Sequence, residues 1–158
     1  MKKTGFKKKT LDEVRSKQAT KRAKINSKPL KAKKLVKPRK KEKTQAELKK
    51  ELDKYFSLYI RKIFPHQCYT CGKTEGLMQC GHFVSRQYLA TRWSVDNCRP
   101  QCWGCNGFGN GKPLDFEERL KKELGSEYVE NMKASRHQVL KLDRQWYLEK
   151  ISYYKSLL

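Results

Sequence analysis

The chain has 158 residues and carries 38 Lys and Arg against 16 Asp and Glu, a formal net charge of +22. That length sets an expectation of one small domain, and that charge points to a polyanionic partner, nucleic acid ahead of an anionic membrane. No run of about 18 apolar residues exists to span a bilayer, and no apolar core follows the basic residues after Met1, so neither a membrane protein nor an exported one is expected.

Residues 1–50 hold 21 basic and 4 acidic side chains, whereas the remaining 108 hold 17 and 12, so the first third supplies most of the positive field. Between Lys17 and Lys43 too few apolar residues occur to offset the entropy of ordering a backbone. Residues 1–43 are therefore expected to form a basic disordered or conditionally ordered arm, and residues 44–158 the organised domain. Such an arm acts on phosphates that come within a Debye length, about 8 Å, and does so through counterion release.

Thr44 followed by Glu47 has the form of a capping box. Leu48, Leu52, Tyr55, Phe56, Tyr59, Ile60 and Ile63 then recur at helical steps, which predicts a helix ending before Pro65. His66, in the loop that follows, is given no role. Residues 66–112 lack any long periodic run, and Leu77–Gln79 and His82–Val84 are read as two strands of a small hairpin. Gln87 to Asn97 reads as irregular, and Asn106 to Lys112 as turn-rich. After Pro113, the spacing of Phe116, Leu120 and Leu124 predicts a helix stopped by Gly125. A short helix carrying Tyr128, Val129 and Met132 follows. Leu142 to Leu158 forms a last helix whose aromatics pack in the core or offer an interface to a second copy.

Cys68-x2-Cys71 and Cys102-x2-Cys105 have the spacing of two knuckles that hold one tetrahedral zinc ion as four thiolates. A structural zinc can supply folding free energy on the order of 10 kcal/mol, which a thin core would not. Cys80 and Cys98 are left as small buried side chains near the site, although Cys80 could stand in as a ligand. His82 lies between the knuckles and Asn106 directly follows the fourth sulfur, an arrangement closer to a nuclease than to a plain zinc finger.

The segment from Gly81 through Arg86 (GHFVSR), followed by Asp96 to Asn106 (DNCRPQCWGCN), resembles the NinG family of lambdoid phage recombination proteins, also called Rap. It is similar, too, to zinc-stapled HNH endonucleases. The resemblance implies an α+β fold: a small zinc-stapled ββα-metal core of the HNH or treble-clef kind, flanked by α-helices and preceded by the basic arm. It also implies a metal-dependent endonuclease acting on branched recombination intermediates such as Holliday junctions and D-loops, in the cytoplasm of a bacterial host. Branched DNA and recombination proteins would be its partners. A zinc-organised DNA-binding adaptor that cuts nothing is the alternative.

Phosphodiester hydrolysis needs a base for water and a cation for the charge that develops on phosphate. His82 is the candidate general base; without the flanking motif it would read as a fifth potential zinc ligand or a helper in the hairpin. Asn106 would offer its side-chain oxygen to Mg2+ or Mn2+, or else cap the helix after the knuckle. Asn97 matches the family's middle asparagine, which holds the histidine loop. Arg86, Arg92 and Arg99 are candidate phosphate contacts. Trp93 and Trp103 are read as packing around the zinc, with stacking on an unpaired base as the second option. Gly81 departs from relatives that place an aspartate or histidine just before the base, so water, Asp96 or another group would have to complete the ion's shell.

Overall fold

The computed structural model describes residues 10–26 and 41–158, and the chain divides into two units, Met1–Lys40 and Lys41–Leu158. The first unit contains helix α1 (Leu11–Asn26), inside the stretch expected to be disordered or conditionally ordered. The helix has a local cause. Ala, Lys, Arg and Gln favour the helix, Asp12 and Glu13 occupy its first turn, and the Thr10 N–H donates to the Glu13 carboxylate at 3.3 Å. The rest of the expected arm, residues 1–9 and 27–40, lies outside the described residues.

The second unit is built on α2 (Gln45–Ile63). Thr44 and Glu47 close the capping box reciprocally: the Glu47 N–H donates to Thr44 Oγ1 at 3.3 Å and the Thr44 N–H to the Glu47 carboxylate at 2.6 Å. Leu48, Leu52, Phe56 and Ile60, each four residues on from the last, form one fully buried ridge. That ridge packs on Tyr147, Ile151 and Tyr154 of α6 (Arg144–Ser156), with Phe56 and Tyr154 edge to face at 5.2 Å. This face of the C-terminal helix therefore packs in the core, the first of the two expectations for its aromatics.

Two strands, β1 (Met78–His82) and β2 (Cys98–Cys102), pair antiparallel from Met78↔Cys102 to His82↔Cys98. The hairpin expected between residues 77–79 and 82–84 is thereby corrected. Val84 cannot serve in a second strand, because its N–H and C=O bond the Asn97 side chain instead of a ladder. The β1–β2 connection contains one helical turn, α3 (Leu89–Arg92), where irregular chain was expected.

A single π-helical turn, Gly104–Phe108, follows β2. Asn110, Gly111 and Lys112 then take left-handed φ values of 49°, 82° and 49°, turning the chain into α4 (Pro113–Leu124). Gly125, at φ 90°, ends α4 and starts α5 (Ser126–Ser135). Phe116, Leu120 and Val129 form a second core on which Tyr69 and Phe83 pack. The unit is thus α+β, with a two-stranded ribbon among helices. Among the described residues, no helix is long and apolar enough to cross a membrane.

Candidate functional site

The two cysteine knuckles meet where the ribbon ends. Cys68, Cys71, Cys102 and Cys105 bring their sulfurs within 4.8 Å of one another, and Cys71 and Cys102 are 3.8 Å apart. A tetrahedron with Zn–S bonds of about 2.3 Å has edges of about 3.8 Å, so these thiols fit one zinc ion. Burial alone would raise the Cys68 thiol, but hydrogen bonds from the Thr70 hydroxyl and from the N–H groups of Cys102, Cys71 and Thr70 outweigh it and bring its pKa to about 6. The Thr70 hydroxyl also favours the Cys105 thiolate, yet burial and three neighbouring sulfurs push its pKa up to about 12. Four sulfurs this close cannot all ionise without a cation among them, which is what zinc would supply.

Gln101 ties the knuckles together. It is fully buried, and its Nε2 donates to Thr70 Oγ1 at 3.2 Å and to Gly111 O at 2.8 Å. Its side chain fills the space that a side chain at residue 81 would need: a Cβ on Gly81 would lie 2.0 Å from Gln101 Oε1 and 2.7 Å from Cδ. Glycine before the histidine is therefore a packing requirement of this chain. Nothing in the sequence singled out Gln101.

His82, at the end of β1, places Nε2 3.0 Å from the carbonyl oxygen of Arg92. A carbonyl only accepts, so Nε2 carries the proton and Nδ1 keeps its lone pair. Burial lowers the His82 pKa below the usual histidine value; the Arg92 carbonyl opposes this, while the charges of Arg92 and Arg86 add to it. The ring is thus neutral at pH 7. The loop behind it is held by Asn97, fully buried, whose Oδ1 accepts from Val84 N–H at 2.7 Å while Nδ2 donates to Val84 O and Thr91 O at 2.9 and 3.0 Å.

His82 and Asn106 border one open cleft of about 490 Å3, together with Gln79, Ser85, Arg86 and Asn110. Asn106 leaves the π-helical turn and donates Nδ2 to Gln79 Oε1 at 2.7 Å, which leaves its Oδ1 as the free acceptor. Gln79 and His82 have opposite parity along β1, so the two groups approach the cleft from different sides of the ribbon. No carboxylate borders the cleft among the described residues. Asp96, considered above as a ligand, instead accepts from the Tyr128 hydroxyl at 2.6 Å.

The three arginines separate. Arg86 is exposed and borders the cleft. Arg92 is held by both carboxylate oxygens of Asp53, at 2.9 and 2.6 Å, and by the Arg86 carbonyl. Arg99, its side chain 3% exposed, pairs with Glu123 at 2.6 Å, donates to Val95 O and Cys98 O, and lies over the Phe64 ring. The expectation of phosphate contacts is therefore corrected for Arg92 and Arg99, whose donors are used internally to fix the loop and β2. Asp53 carried a usable sequence signal, since a carboxylate beside the apolar ridge of α2 needs a partner.

Trp93 packs against Trp146 and Tyr147, in the α2–α6 core and not, as expected, around the four cysteines. Trp103 is 62% exposed and leans on Phe108, 83% exposed, with ring centroids 6.0 Å apart. Cys80 lies away from the four-sulfur group, beside His82 and Cys98, which corrects its suggested part as a substitute ligand there.

A family model described as Bacteriophage Lambda NinG protein matches residues 1–158. No curated protein and no solved structure matches the chain.

Proposed function

The chain belongs to the NinG family, which ties it to bacteriophage recombination, and from that premise we propose that it is a zinc-stapled, HNH-type endonuclease acting on branched DNA. The observation that carries the reading is the tautomer of His82. A neutral imidazole anchored through Nε2 to the Arg92 carbonyl, beside a cleft that also admits Asn106 and Arg86, is arranged to take a proton through Nδ1.

In this reading water enters the cleft between His82 and a phosphate held by Arg86. His82 Nδ1 accepts the proton as the water oxygen attacks phosphorus and the bond from phosphorus to the leaving sugar oxygen breaks, that oxygen taking a proton from solvent; the 3 Å link to Arg92 O keeps the ring from turning away. Mg2+ or Mn2+, when bound, would neutralise charge on the phosphate and the leaving oxygen, with Asn106 Oδ1 as its protein ligand. Because the cleft offers no carboxylate, waters and a phosphate oxygen would complete the shell. Trp103 and Phe108, presented on the turn that the second knuckle fixes, supply an apolar face on which an unpaired base at a branch point can stack. The basic arm adds affinity without sequence preference.

The test is incubation of the full chain, carrying one equivalent of zinc, with four-way, three-strand and linear DNA in Mg2+ or Mn2+. Cutting confined to branched substrates and abolished by a chelator is the expected result. Tight binding with no cleavage would favour the second reading, a zinc-organised recombination adaptor, for which the carboxylate-free cleft is the favouring observation.

A further inference from the structure

The ribbon face opposite Gln79 gathers three metal-type donors that the staple does not use. Cys80, His82 and Cys98 bring one donor atom each within 4.8 Å of one another, and both thiols are free. Cys80 and His82 are two residues apart on β1, and Cys98 is the cross-strand partner of His82, so the pairing of the strands itself makes the cluster. We propose that Cys80, His82 and Cys98 form a second zinc site, distinct from the four-cysteine staple.

Four features support it. Two sulfurs and an imidazole are the donor set zinc selects, and open zinc sites keep three protein ligands with a fourth position for solvent. Edges of about 3.6–3.8 Å are needed around the ion, which side-chain adjustment of about an ångström provides from the present spacing. His82 already has the outer contact expected of a ligating histidine: Nε2–H is given to the Arg92 carbonyl, which fixes the ring and leaves Nδ1 for the ion. Cys80 and His82 also border the open cleft, so an ion has a path from solvent. Packing alone accounts for one buried and one half-buried thiol, but not for an imidazole donor within reach of both.

Filling this site occupies the lone pair that would otherwise accept a proton from water. Zinc here therefore competes with cleavage, a consequence that rests on the reading of His82 as the base, whereas the site itself does not.

The experiment is a zinc count. The reduced full chain is equilibrated with excess Zn2+, passed through a desalting column and analysed by mass spectrometry. Two equivalents are expected for the wild type and one for Cys98→Ser. Because Cys98 is fully buried, the half-buried Cys80→Ala is the second variant, again with one equivalent expected. Co2+ substitution should show two environments in the wild type, the one with fewer thiolates disappearing in Cys80→Ala. One equivalent in the wild type overturns the proposal. So do two equivalents retained in Cys80→Ala, since the extra ion then sits elsewhere. Absence of cleavage with one equivalent bound as well as with two would count against the nuclease reading alone, and cleavage by a wild type that never binds more than one equivalent against the second site alone.

Discussion

Replacing Gly81 by alanine adds one methyl group at a place where the structure allows none. The new Cβ would stand 2.0 Å from Gln101 Oε1, 2.7 Å from Cδ and 2.8 Å from Cγ, so the whole outer side chain of Gln101 must move and not merely its tip. Gln101 is fully buried and held by hydrogen bonds to Thr70 and Gly111. Overpacking a tight core costs about 1–3 kcal/mol, and losing two hydrogen bonds adds roughly 1 kcal/mol each. Gly81→Ala should therefore destabilise by about 3–5 kcal/mol, read from urea denaturation followed by Trp fluorescence. Gln101→Ala should lose the hydrogen bonds but make room for the methyl, so the double variant Gly81→Ala/Gln101→Ala should be more stable than the sum of the single effects by at least about 1 kcal/mol. Wild-type stability in Gly81→Ala, or strict additivity in the double variant, would refute the claim that Gln101 dictates glycine at this position.

Cys102→Ser should lose the staple's zinc and lower the melting temperature, because a missing thiolate weakens the ion that organises both knuckles; zinc content and a thermal melt read both. Trp103→Ala and Phe108→Ala should leave the melt nearly unchanged, since both rings are exposed, yet weaken binding to branched DNA by roughly 1–3 kcal/mol per lost base contact while sparing linear duplex; fluorescence anisotropy on the two substrates separates the effects. Burial would raise the Glu123 carboxyl, but hydrogen bonds from Arg99 and Tyr69 outweigh it and hold its pKa below the usual value. A carboxylate depressed in the folded state contributes stability above its unfolded pKa and loses it as pH falls through the folded one. Glu123→Gln should thus destabilise the protein at neutral pH and flatten its acid-unfolding limb, measured by denaturation between pH 7 and pH 3. Removing residues 1–43 should weaken DNA binding and reduce the slope of log affinity against log salt, which a titration across ionic strengths measures.

Much of the framework was readable in the sequence because it depends on local signals. The capping box at Thr44, the helical spacing of the α2 ridge, the stop at Gly125 and the knuckle spacing are each written within a few adjacent residues. The strand pairing was not, since β1 and β2 are short, poor in β-branched residues and separated by a loop that Asn97 holds through its side chain. Arg92 and Arg99 look like surface cations in sequence; their burial depends on Asp53 and Glu123, 39 and 24 residues away. Gln101 and the meeting of Cys80 with Cys98 emerge only once the register is fixed. Helix α1 was not read from the sequence, because a basic segment poor in apolar residues carries no amphipathic pattern yet can satisfy its backbone locally.

The central claim is that His82, fixed by the Arg92 carbonyl, takes a proton from water during DNA cleavage. Single-turnover cutting of a four-way junction in Mg2+ by the wild type and by His82→Ala, with zinc content and melting checked in both, tests it most directly. The rate should fall by roughly 10²–10⁴-fold in the variant, with junction binding retained. A folded, zinc-loaded His82→Ala protein that cuts at the wild-type rate would contradict the account.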